Sequence, residues 1–293
     1  MDAPPEKENC APFVDISSRM LRAGVRAPEV IAFDAQQGFL LLPDLGTRML
    51  LPALNAQCVE LLYADALQEI LHIQQVDSRG LPRYDAEKLG AELDLFPEWF
   101  LQRHLGINAI SSLTPIWQQT RTLLIESALS QPQCFVHRDF HSRNLMLGNN
   151  HPQISSRFGV IDFQDAVHGP VSYDAVSLLR DCYIEWPDAN VARWREWFRQ
   201  RAEASLAISL PAKQFAQQFD WMGVQRHLKV LGIFARLNYR DGKARYLADL
   251  PLVLRYTLKV CGEHTALQPF ANWLSSIVEN IDLTVPRMES GKS

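Results

Sequence analysis

No two of the five cysteines, Cys10, Cys58, Cys134, Cys182 and Cys261, are spaced as a CxxC pair, and their number is odd. That pattern gives no basis for a zinc site or a disulfide framework, and reduced thiols are the plain reading. A membrane span is missing as well, since no apolar run approaches the ~18 residues that one needs. The opening MDAPPEKENC is polar and acidic, where a secretory signal would be basic and then apolar. Basic excess is also lacking. With 29 Lys and Arg against 33 Asp and Glu the formal net charge is −4, so neither nucleic acid nor an anionic membrane is an expected partner. The expected compartment is the cytoplasm. Internal repeats and low-complexity tracts are absent too.

What is present is ordinary for a globular protein: 293 residues, 47% hydrophobic and 21% charged. At roughly 100–200 residues per domain this allows one large domain or two lobes. Pro12–Ala23 reads as a short helix closed by Gly24, and the apolar runs Val30–Phe33 and Phe39–Leu42 read as a β-hairpin with its turn ending at Gly38. Pro43-Asp44-Leu45-Gly46 breaks the pattern and reads as a linker. Val59, Leu62, Tyr63, Ala66, Leu67 and Ile70 then recur as one buried helix face. Further helices are expected around Ala86–Leu95 and Pro115–Leu129, the latter with Thr114 as N-cap and proline at its first position.

Two short strand-like runs follow, Cys134-Phe135-Val136 and Phe158-Gly159-Val160-Ile161, each feeding a segment that bears an Asp. Beyond Gly169-Pro170 the pattern is mostly helical, over Tyr173–Glu185, Val191–Ala204, Trp221–Leu237 and Leu252–Cys261. A little β structure first, then helices around a β-rich segment, predicts a two-lobed α+β architecture.

The chemistry is concentrated in His137-Arg138-Asp139-Phe140-His141-Ser142-Arg143-Asn144 and in Val160-Ile161-Asp162-Phe163: an H-x-D-x-x-x-x-N pattern, then an Asp ending an apolar strand. Phosphoryl transfer needs those residue types. Charge spreads over the transferred group, so catalysis is largely positioning and neutralisation by Mg²⁺. One carboxylate must sit by the acceptor hydroxyl, while a second carboxylate and an amide oxygen suit a hard cation with oxygen ligands. Singly, each residue reads as a turn or strand-end residue; the ordered combination carries the functional reading.

On HRDFHSRNLML the chain resembles the aminoglycoside phosphotransferase/choline kinase family of the protein-kinase-like superfamily. The narrower segments VIDFQDAVHGPVSYDAVSLLRDCYIEW and QRHLKVLGIFARLNYRDGKARYL, with MDAPPEKE, resemble its subfamily of bacterial anomeric amino-sugar kinases. The resemblance implies a kinase-like fold with a truncated N-terminal lobe and hinge over residues 1–45, and a large, mainly helical C-terminal lobe over 46–293. It implies ATP and Mg²⁺ as cofactors, Asp139 as catalytic base, and Asn144 and Asp162 as metal ligands. Leu42, Asp44 and Leu45 would form the adenine-binding hinge, and His137 and Asp174 would support the site structurally, Asp174 by holding backbone N–H groups at a helix start.

Arg226, Lys229, Arg236 and Arg240 recur at near-helical spacing, which reads first as a solvated basic face. The sharper reading gives Arg236 and Arg240, with Asp165, to an anionic sugar acceptor. His141 and His168 read as structural. The family pattern departs in one respect: before the hinge there are only Gly24, Gly38 and a lone Lys7, so a Gly-rich loop and a strand lysine are missing. The expectation is an N-terminal lobe present only in part, with a bare sheet edge. Three functions compete: an anomeric kinase of N-acetylmuramate/N-acetylglucosamine, as in cell-wall recycling; an aminoglycoside kinase, whose polycationic substrates call for an acidic pocket; and a catalytically dead binding protein. The basic stripe in the second half ranks the aminoglycoside kinase below the first, and the intact Asp139, Asn144 and Asp162 argue against the third.

Overall fold

The computed structural model describes residues 1–4, 6, 9–107, 114–148 and 158–287. It divides into two compact units, one of Met1–Arg83 and Pro132–Phe215, the other of Tyr84–Gln131 and Ala216–Ser293. Among the described residues no helix is long and apolar enough to cross a membrane.

In the first unit, helix α1 (Ala11–Arg22) buries Phe13, Ile16 and Met20, one face at helical spacing, and Gly24 stops it at φ +80°. The antiparallel hairpin follows as β1 (Ala32–Asp34) and β2 (Phe39–Leu41), with Phe33 opposite Leu40. The edge expected to be bare is occupied on the β2 side. Leu40 exchanges both backbone bonds with Met1 at 2.8 and 3.0 Å, and Ala3 N–H donates to Gly38 O at 3.0 Å. Helix α2 (Val59–Ile73) buries Leu62, Tyr63, Ala66, Leu67 and Ile70 as its periodicity predicts.

Two short antiparallel ladders build the centre of this unit. Strand β3 (Gln133–Val136) pairs with β6 (Val167–Pro170), and β4 (Leu145–Met146) pairs with β5 (Gly159–Val160). Strands β4 and β6 have no signal in the sequence: β4 is too short for a period, and β6 contains Gly169-Pro170, residues that strands disfavour. Helix α5 (Tyr173–Leu179) is shorter than the expected Tyr173–Glu185. Arg180 leaves helical geometry at φ −122°, ψ 49°, and Tyr183 N–H turns to the Asp181 side chain at 3.2 Å, a local bond that competes with the helix. Helix α6 (Asp188–Leu206) then buries Trp194 and Phe198, and Trp186, Trp194 and Tyr63 form an aromatic cluster with centroids 4.9–6.1 Å apart.

The second unit holds α3 (Ala86–Leu93), the π-helical segment Phe96–His104, α4 (Thr114–Leu129), most of α7 (Ala212–Tyr239), α8 (Leu250–Glu263) and α9 (Gln268–Val278). Helix α7 starts well before the expected Trp221, directly after Pro211. The side chain of Thr114, the expected N-cap of α4, lies outside the described residues, as does Lys7. Phe96, Trp117 and Phe270 pack together with centroids 5.4–6.0 Å apart. A Cβ at Gly232 would lie 2.5 Å from the backbone C and O of Leu95, so α7 approaches that segment as only glycine permits.

Candidate active site

The two ladders of the first unit place the chemistry. The loop 137–144 runs from the end of β3 to the start of β4, and residue 162 follows β5. Ile161 N–H donates to Asn144 O at 3.1 Å, extending the β4–β5 pairing to the residues that matter. The Asn144 amide then ties the cluster together: its Nδ2 donates to Asp139 O at 3.0 Å and to Asp162 Oδ2 at 3.1 Å. Gln164 Nε2 donates to the other Asp162 oxygen at 3.0 Å. Asp139 is half-buried and Asp162 exposed.

Arg138 and Asp162 sit at φ 77° and 67°, the left-handed region that costs a non-glycine residue roughly 1–3 kcal/mol and persists where surroundings over-determine it. For Arg138 the constraint is visible. The buried Asp174 carboxylate accepts the backbone N–H groups of His137 at 2.8 Å and Arg138 at 3.0 Å, and Arg138 Nη1 donates to Asp165 O at 3.2 Å. Asp174 thus holds N–H groups of the loop. His137 is fully buried, and its Nδ1 accepts from Asp139 N–H at 3.2 Å. A second buried carboxylate, Asp181, accepts Ser142 N–H at 2.9 Å. Sequence reasoning missed Asp181; the one cue is an acidic residue inside the mostly apolar Leu178–Ile184 stretch. Burial, with Asp174 nearby, pushes the Cys134 thiol well above its usual value, so this thiol stays protonated.

Asn144 and Asp162 border a cavity of about 510 Å³ whose other walls include Phe13, Pro28, Leu42 and Ile161. Helix α1 contributes Phe13, seated on Phe163 at 4.7 Å between ring centroids. The volume and the apolar walls with a few polar groups suit a small ligand. Of the three hinge candidates, Leu42 lines this cavity; Asp44 caps a turn by accepting Gly46 N–H at 2.8 Å; Leu45 packs on Gly159, where a Cβ would meet its Cδ1 at 2.9 Å. With Nδ2 committed to Asp139 and Asp162, Asn144 offers Oδ1 beside a carboxylate. This hard-oxygen pair fits Mg²⁺, which takes few protein ligands and completes its shell with phosphate and water. Among the described residues no group of three or more His, Cys, Asp or Glu side chains forms a metal cage.

The remaining candidates make none of the bonds that join Asp139, Asn144 and Asp162. The Asp165 side chain is exposed, with Oδ1 4.0 Å from Arg138 Nη1. His168 belongs to β6, its Nδ1 2.9 Å from Ser78 Oγ. Arg236 and Arg240 belong to the second unit, where Arg240 is exposed and paired with Asp241 at 2.8 Å. The solvated basic face is corrected: Arg226 and Lys229 are buried, and Lys229 Nζ pairs with Glu92 at 3.2 Å, which Tyr84 also hydrogen-bonds.

A family model described as the phosphotransferase enzyme family matches residues 1–208. A protein of Pseudomonas putida named N-acetylmuramate/N-acetylglucosamine kinase is 43% identical over 279 residues, spanning 94% of this chain and 80% of that protein. One of Pseudomonas aeruginosa with the same name is 42% identical over 284 residues, 96% of this chain and 82% of that protein. A solved choline/ethanolamine kinase family protein from Mesorhizobium loti superposes with a TM-score of 0.61 at 13% identity, covering 89% of this chain and 83% of that one. The last likeness shows the fold: the kinase-like α+β fold.

Proposed function

Because this chain belongs to the phosphotransferase enzyme family, we propose that it is an ATP-dependent kinase phosphorylating the anomeric hydroxyl of an N-acetylated amino sugar, with N-acetylmuramate and N-acetylglucosamine as acceptors. The observation that carries the reading is the Asn144 amide, bonded at once to Asp139 O and Asp162 Oδ2 beside a cavity of about 510 Å³. That arrangement supports a division of labour. Asp139 accepts the proton of the acceptor hydroxyl as its oxygen bonds to the γ-phosphorus of ATP and the bond from that phosphorus to the departing ADP breaks. Asn144 Oδ1 and the Asp162 carboxylate would hold Mg²⁺, which would supply neutralising charge to the nucleotide's phosphate oxygens. Phe13, Leu42 and Ile161 give the cavity apolar surface suited to a nucleobase. Two relatives bearing the amino-sugar kinase name over more than nine-tenths of this chain support the acceptor class.

The test is ADP release and sugar phosphate formation from Mg-ATP with a panel of N-acetylated amino sugars and aminoglycosides, for wild type and Asp139→Asn. Asn is nearly isosteric but cannot take the proton, so kcat should fall at least ~10²-fold, the low end for a general base. Turnover on aminoglycosides alone, or an Asp139→Asn variant keeping half the wild-type rate, would overturn the reading.

A further inference from the structure

The turn that separates Asp139 from Asn144 is held from outside by a segment with no assigned role. Ser142, midway along it, is fully buried. Its N–H donates to Asp181 Oδ2 at 2.9 Å, its hydroxyl donates to the same oxygen, and its carbonyl accepts Leu51 N–H at 3.0 Å. The other Asp181 oxygen accepts Tyr183 N–H at 3.2 Å. Tyr183 in turn meets both neighbours of Ser142. The Arg143 guanidinium stacks 3.5 Å from its ring centroid, and the His141 ring meets it edge-on at 5.4 Å. Three consecutive residues, His141-Ser142-Arg143, are therefore clasped by Asp181 and Tyr183.

We propose that Asp181 and Tyr183 are positioning residues that set the spacing between the Asp139 carboxylate and the Asn144 amide, an inference that rests on the roles proposed above for those two groups. Asp174 grips only the first residues of the loop, through the His137 and Arg138 N–H groups. Within the loop, His141 N–H bonds to Asp139 O at 3.0 Å and Asn144 N–H to His141 O at 2.9 Å, so a shift at Ser142 passes to both reactive residues. Asp181 is only 2% exposed. A buried carboxylate is costly unless donors surround it, and here two of the donors come from one loop residue. Burial also pushes the Tyr183 phenol well above its usual pKa, so the ring meets Arg143 as a neutral aromatic face.

The measurements are kcat, the KM of the sugar, the Mg²⁺ dependence of rate, and calorimetric binding of Mg-loaded non-hydrolysable ATP analogue, each scaled to folded protein by circular dichroism. Asp181→Asn turns an amide donor towards donors and should lower kcat about ten- to a hundredfold, with the KM of the sugar held within about threefold. It should also weaken Mg-dependent analogue binding by at least about threefold, a readout that needs no acceptor. Tyr183→Ala should lower kcat, and Tyr183→Phe, which keeps the ring, should restore most of it. Ser142→Ala and Asp181→Asn together should be no worse than Asp181→Asn alone, because they remove one interaction. If Asp181→Asn does not fold, the Tyr183 pair and Ser142→Ala decide. Wild type inactive on every amino sugar defeats the proposed function, and analogue binding then judges the clasp alone. A folded Asp181→Asn with unchanged rate and unchanged Mg-dependent binding, or equal effects of Tyr183→Ala and Tyr183→Phe, overturns the positioning role.

Discussion

Replacing Asp174 by Asn separates two accounts of a buried carboxylate by magnitude. A carboxylate at the start of α5 could serve its own helix, where Asn is about as good a cap as Asp and the lost charge costs about 0.3–1 kcal/mol. The structure gives it a different role. Both oxygens accept N–H groups of the loop, from His137 at 2.8 Å and Arg138 at 3.0 Å, at 1% exposure. Asn keeps one acceptor and turns an NH₂ group against the other N–H. Charge-assisted bonds are worth about 1.5–3 kcal/mol, and a stranded buried donor adds part of its desolvation cost of about 1–3 kcal/mol. The expected loss is therefore about 3 kcal/mol, a large fraction of the ~5–15 kcal/mol that holds a domain folded. It also releases the left-handed Arg138 (φ 77°) beside Asp139, so kcat should fall in the protein that remains folded. Urea unfolding followed by tryptophan fluorescence, with turnover measured on the same sample, reads both effects. A change below about 1 kcal/mol with full turnover would return Asp174 to its own helix and refute the argument.

Asp162→Asn removes a charged oxygen ligand, so the Mg²⁺ needed for half-maximal rate should rise as the rate falls; an unchanged magnesium titration would remove Asp162 from the metal site. Gly232→Ala puts a Cβ 2.5 Å from Leu95 backbone and should destabilise by about 1–3 kcal/mol or more, seen as a lower Tm; an unchanged Tm would mean that α7 relaxes freely. His104 is buried, with Nε2 3.0 Å from Leu283 O and Nδ1 3.1 Å from the Tyr239 hydroxyl. Burial depresses its pKa against the raising effect of the Leu283 carbonyl, and the Arg287 charge depresses it further. The unfolded chain therefore binds more protons below the ordinary His value of about 6.5, so this contribution to stability is present above that pH and lost as the pH falls through it. His104→Gln should flatten the dependence of Tm on pH between roughly 5 and 7.5, and an identical slope in both proteins would count against the assignment.

Helices with a repeated apolar face were legible in the sequence: α1, α2 and α6 differ from expectation by only a few residues at their ends. Elements that depend on a partner were not. Strand β4 has two residues and β6 carries Gly169-Pro170, so each exists because β5 and β3 pair with it. The end of α5 was misplaced because the apolar run continues past Leu179, while the Asp181 carboxylate accepts from Tyr183 N–H and Ser142 N–H, bonds that compete with the helix there. Periodicity reports which residues share a face and is silent on what that face meets. Arg226 and Lys229 show the consequence: their helical spacing looked like a solvated stripe, but the partner that buries Lys229 is Glu92 on α3, remote in sequence.

The same division runs through the candidate site. Asp139, Asn144 and Asp162 stood out in the sequence because the chemistry proposed for them requires fixed residue types, and two of the three lie within one loop. Of the groups that hold this loop, Asp174 was expected to accept backbone N–H groups, though at a helix start and not in the loop, and Asp181 was missed, because holding a backbone N–H demands only an acceptor, which many residues at many positions could supply. Asp174 and Asp181 are such acceptors, and the bonds they make are to His137, Arg138 and Ser142, none of which has a part in the proposed chemistry. What singles the two out is burial: a carboxylate at 1% or 2% exposure is tolerated only where donors converge on it. An Asp inside a mostly apolar run such as Leu178–Ile184 is therefore informative from sequence alone, since it must find donors elsewhere in the chain. In this chain the donors it finds include Ser142 of the loop 137–144, which makes the apolar context of an acidic residue, rather than its place in a motif, the signal for what holds that loop in register.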